Sequence, residues 1–174
     1  MSTTTTTTAT LPSSVPPDAA ASRLRIGSVL MTIGGIAFVG YGVVFFIQNF
    51  TDAFLELGIG HHEVSVSRND IENFSPSLVE YVSHLHIAVS GFIAATGIAV
   101  AALSWYGVRR GLLWAWVTAV AAPVIALAVA LPAHYPNHFD TLGHLGPIYL
   151  ATGVFVVGAL LALPDVVAGR RTRK

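Results

Sequence analysis

The chain has 174 residues, 53% of them hydrophobic and only 10% charged, with nine basic residues balanced by nine acidic ones and no cysteine. An ordinary soluble domain carries about 25% charged residues, so this composition lies outside that class, and the even balance gives no electrostatic case for nucleic acid as a partner. The missing thiol excludes disulfides, thiolate metal sites, Fe–S clusters and cysteine nucleophiles.

Residues 1–22 contain the run Thr3 to Thr8, then Pro12, Pro16 and Pro17 and the alanines Ala19 to Ala21. Such a stretch has too little large apolar surface to offset the entropy of ordering it, which predicts a disordered tail. It lacks the basic start and short apolar core of a secretory signal. Arg23 and Arg25 then stand directly against the first apolar block.

A bilayer-spanning helix needs about 20 apolar residues. Four segments meet this: 26–47, 78–105, 112–131 with Pro123 inside it, and 145–163, closed by Pro164. Backbone groups in hydrocarbon must be satisfied within the segment, so all four read as helices. Ser77 and Glu80 have the spacing of a capping box at the head of the second. That helix runs roughly 42 Å against a hydrocarbon core of about 30 Å. Its first turns, with Glu80 and Tyr81, therefore belong outside the core, and His84 and His86 at its edge.

Small residues recur on every segment, including Gly34, Gly35, Gly40 and Gly42, then Ser90, Gly91 and Gly97, then Ala119, Ala122 and Ala126, and Gly153 and Gly158. Small side chains let helix backbones approach closely where lipid removes the hydrophobic drive to pack. The expected fold is all-α: a four-transmembrane-helix bundle over 23–165, followed by a basic tail over 166–174.

Eight of the nine Lys and Arg residues precede the first segment, fill the Arg109–Arg110 turn or end the chain, and only Arg68 lies in the alternate loops. Cytoplasmic loops carry the excess of Lys and Arg, so both termini are expected in the cytoplasm and the protein in the inner (plasma) membrane. Trp105, Trp114 and Trp116 flank the Arg109–Arg110 turn as an interfacial belt. The opposite loops collect Asp52, Glu56, Glu63, Asp70, Glu72 and Asp140, with Glu80 just beyond, and every histidine: His61, His62, His84, His86, His134, His138 and His144.

Neutral imidazole is the commonest metal ligand and also serves as a haem axial ligand. A transition-metal site drawn from His84, His134, His138 and His144, supported by Glu80 at i,i+4 from His84, is one reading of this face. Haem b held between His84 and His144 is its variant, with Tyr149 lining the ligand cavity. His86 points about 200° from His84 around a regular helix, so the two do not share a pocket. The competing reading is interfacial, with each imidazole capping a helix or bonding a loop carbonyl. A face that gains charge as the outside acidifies is a third. No serine-hydrolase elbow, P-loop or dinucleotide fingerprint is present, and no carboxylate sits at mid-span as an antiporter requires.

Gly107-Val108-Arg109-Arg110-Gly111 followed by Trp114-Ala115-Trp116 resembles the cytoplasmic turn of small, uncharacterised bacterial four-helix membrane proteins. The resemblance implies the fold and no catalytic residue. Two functions follow as expectations: an accessory protein whose outer loops bind another membrane protein or a second copy of the chain, or a haem- or metal-binding membrane protein. In both, the lipid bilayer is the constant partner.

Overall fold

The computed structural model describes residues 17–51, 54–60 and 62–172. The first sixteen residues of the expected tail, and His61, lie outside them. Five helices make up the described chain, with no strand among the described residues: α1 (Pro17–Gln48), a short α2 (Arg68–Phe74), α3 (Pro76–Ala102), α4 (Leu113–His134) and α5 (Leu142–Thr172). A π-turn (Leu103–Gly107) and a 3-10 turn (Val108–Arg110) carry α3 into the link to α4. Four of the helices are long and apolar enough to cross a membrane. Only 17–33% of their most apolar windows is buried inside the chain. Phe92, Val129 and Leu150 are more than 70% exposed, a surface that water would not tolerate and lipid does. The fold fits a membrane protein.

α1 is the central helix. It packs along α5 through Gly27 and Gly158, where a Cβ on either glycine would meet the other's carbonyl oxygen at 2.6–2.7 Å. On its other side it meets α3 at Gly35 against Gly97 and at Gly42 against Ser90 and Ala94. These contacts are too close for any side chain, which is how small residues substitute for hydrophobic drive in lipid. Gly40, Gly91 and Gly153 have open space beside them instead, so only some of the small residues are packing devices. α4 joins the bundle at its start, where Ala115 sits against Gly107 and the Trp116 indole donates to the Ala159 carbonyl at 3.0 Å. From Pro123 onward one side of it lines a cavity.

The start of α1 and the end of α5 lie at one end of the bundle, where Arg23 grips Asp165 with Nε–Oδ2 and Nη2–Oδ1 contacts of 3.1 and 2.8 Å. That pair, with Val166 fully buried beside it, explains why α5 runs through Pro164 to Thr172 instead of stopping there. Residues 17–22, expected in the disordered tail, are the first turns of α1.

The expected capping box at Ser77 and Glu80 does not form. Pro76, lacking an N–H, takes the first helical position, which makes Ser75 the N-cap and leaves Ser77 inside the first turn. The capping box is built instead on Ser67 and Asp70 at the head of α2, a helix too short to register as an apolar segment.

Candidate functional site

The site lies at the end of the bundle opposite Arg23 and Asp165. α4 delivers His134 from its last residue and α5 delivers His144 from its first turn. Their rings stack with centroids 4.9 Å apart and their Nε2 atoms 2.9 Å apart. Glu56, from the loop after α1, brings Oε2 to 3.1 Å from His144 Nε2. One ligand atom from each of the three lies within 4.8 Å of the others, the group among the described residues arranged to hold a metal ion. His144 is almost wholly buried, whereas the Glu56 side chain is 37% exposed. The cluster is therefore closed on the protein side and open on the other.

The loop reaches His144 because of Gly58. Its φ is +78°, in the left-handed region, and a Cβ there would overlap the backbone of Gly143 and His144. Without a side chain the loop can lie flat on the start of α5, where the Thr141 hydroxyl donates to the Gly58 carbonyl at 2.8 Å. The same close approach aims the Leu57 carbonyl at His144 Nδ1, 2.9 Å away, and carries Glu56 to Nε2. The Tyr41 hydroxyl approaches Nδ1 from α1 at 3.2 Å.

These backbone partners fix the tautomers. A carbonyl oxygen only accepts, so His144 Nδ1 carries a proton toward Leu57, and His134 Nδ1 carries one toward the Ala130 carbonyl at 2.8 Å. In the neutral rings each Nε2 is then a bare lone pair. With both rings neutral, two lone pairs and a carboxylate oxygen then face one another, an arrangement that a bound metal ion or a proton would stabilise. Metal-bound histidines in general donate their outer N–H to a carbonyl or carboxylate in this way.

Of the residues singled out from the sequence, the structure brings together His134 and His144. Glu80 and His84 are exposed on α3, and His138 is exposed in the left-handed conformation just after α4. None of the three belongs to the cluster. Tyr149 is exposed, and its hydroxyl pairs with that of Tyr135 at 2.6 Å. His86 turns inward, away from His84, and lies between Phe45 and Phe54 with centroid distances of 5.0 and 5.4 Å. Glu56 was visible in the sequence only as one of several loop acids. The signal that singles it out is Gly58 two residues later, facing Gly143 beside His144.

Beneath the cluster a cavity of about 330 Å³ descends between α1, α3, α4 and α5. Fold and site together define a helical membrane protein with a two-histidine, one-carboxylate centre at one end of its bundle. Comparison with family profiles, curated proteins and solved structures returns no match.

Proposed function

We propose that this is a metal-binding membrane protein in which His134, His144 and Glu56 hold a divalent transition metal of the zinc class at the extracytoplasmic end of the bundle. The observation that carries the reading is the convergence of two imidazole nitrogens, each on a ring whose Nδ1 bonds a backbone carbonyl, and a carboxylate oxygen. Two imidazoles and one carboxylate suit Zn²⁺, and three protein ligands leave a fourth position free for water or substrate. Zn–N bonds of about 2.1 Å in tetrahedral geometry place the nitrogens roughly 3.4 Å apart. Parting the two rings by about half an ångström from their 2.9 Å separation seats the ion. The extracytoplasmic placement rests on the distribution of Lys and Arg.

The test is metal stoichiometry by elemental analysis on the full chain purified in detergent after equilibration with Zn²⁺. One equivalent is expected, lost in Glu56→Gln, His134→Gln and His144→Gln but kept in His84→Gln and His138→Gln. A wild-type protein that retains no zinc, or a His84 variant that loses it, overturns the assignment.

The short 2.9 Å separation of the two Nε2 atoms also favours a second occupant, one proton shared between the rings. In that case no metal is retained, and imidazole nitrogen resonances report one charged ring in the pair. The haem variant draws less support, since His84, its other axial ligand, lies outside the cluster.

A further inference from the structure

The cavity under the cluster has its ionisable groups at one end only. Glu56, His134 and His144 border it at the top, with Tyr41 beside them, and below them its walls are aliphatic and aromatic side chains. Thr96 is the exception, and its hydroxyl is already spent on the Phe92 carbonyl of its own helix at 2.8 Å. The lining runs from Val89 to Val100 along α3 and from His134 back to Pro123 along α4. Eleven residues of helix on each wall correspond to about 16 Å. That is about half of the 30 Å hydrocarbon thickness, the depth occupied by the acyl chains of one leaflet.

The cavity also has a side entrance. Val89 and Phe92 on α3 and Ala126 and Ala130 on α4 line it and are at the same time exposed. Helices packed as α1 packs on α5 leave no such opening. With the bundle in a bilayer, the gap between α3 and α4 would open sideways toward the acyl chains.

We propose that the cavity takes a single acyl chain from the adjoining leaflet, and that the carboxylate or carbonyl oxygen at the chain's head fills the free position of the His134–His144–Glu56 centre. The proposal rests on the metal reading above and names its substrate class: a long-chain amphiphile with an oxygen head. A cavity of about 330 Å³ is at the small end of ligand sites, which run from about 300 to 1,000 Å³ and pair apolar walls with a few convergent polar groups. One chain fits that description better than a two-chain lipid or a bulky ring system.

The test uses the Co²⁺-loaded full chain in detergent, with the visible Co²⁺ bands reporting ligand entry at the metal. Acetate supplies the head alone and myristate supplies head and chain. Myristate is expected to change the bands at a concentration at least tenfold below acetate. Ala126→Phe and Ile93→Trp fill the cavity without touching a ligand residue. Both are expected to keep the Co²⁺ bands and the acetate response while losing at least tenfold in the response to myristate. Wild-type protein that answers both anions alike, or two filled variants that keep the myristate preference, would overturn the acyl site and leave the metal site standing. Failure to bind Co²⁺ at all would overturn both readings.

Discussion

Replacing Gly58 by alanine separates a loop that merely lies near His144 from one that arms it. Alanine at φ +78° carries a left-handed backbone cost of roughly 1–2 kcal/mol. Its Cβ would also meet backbone atoms of Gly143 and His144 rather than a flexible side chain, so no rotamer change relieves the overlap and the loop must lift. Lifting breaks the Thr141–Gly58 bond of 2.8 Å and the His144–Leu57 bond of 2.9 Å, each contributing about 0.5–1.5 kcal/mol. It also withdraws Glu56. Loss of an outer partner alone typically lowers metal affinity about 10- to 100-fold. Gly58→Ala should therefore weaken Zn²⁺ binding by at least tenfold, about 1.4 kcal/mol, read by competition against a chromogenic chelator. Gly60→Ala is the control, because its Cβ would meet nothing nearer than a Glu63 carboxylate oxygen at 3.9 Å. Equal affinities in the two variants would refute the role given to the Gly58 turn.

Two further substitutions test the frame. Gly97→Val forces α3 off α1, since even a Cβ there would lie 2.7–2.9 Å from Gly35 and Val39 atoms. Overpacking of this kind costs about 1–3 kcal/mol, whereas Gly91→Val, with open space beside it, should leave detergent-phase thermal stability nearly unchanged. Arg23→Gln and Asp165→Asn break the pair that joins the chain ends. Both side chains retain some exposure (34% and 12%), so a double-mutant cycle should give no more than about 1 kcal/mol of coupling, falling as salt is added.

The four long helices were legible because hydrocarbon imposes a length and a polarity that few other environments demand. Their ends were less legible. Pro164 reads as a stop, yet Arg23 holds Asp165 from a distance of 142 residues in sequence, and no local pattern contains that partner. Two of the three residues of the candidate cluster were legible as well. His134 and His144 follow from the histidine bias of one set of loops, since both stand where a span meets a loop. Glu56 did not, because its place depends on a glycine contact between the loop after α1 and the start of α5, Gly58 against Gly143, 85 residues apart. His84 lies on the exposed side of α3 and outside the cluster, with His86 turned inward.

The same layout would give a metal bound at this cluster a mechanical consequence. α4 is anchored at its start by Trp116 and Ala115, but its second half lines the cavity, and side-chain bonds tie its far end to α5 at His134–His144 and, just beyond, at Tyr135–Tyr149. An ion bridging His134 and His144 would therefore clamp the far half of α4 beside the lateral opening. A ligand at 100 times its dissociation constant stabilises the state that binds it by about 2.7 kcal/mol. If opening of the far half of α4 breaks coordination, amide exchange over residues 127–134 should slow by up to about 100-fold on adding Zn²⁺. Exchange in the α1–α5 contact around Gly27 and Gly158 should stay unchanged. Equal slowing in both regions would mean that the metal stabilises the bundle as a whole and does not gate the cavity. Unchanged exchange in α4, with zinc shown to be bound, would mean that α4 is already held by contacts stronger than those two bonds.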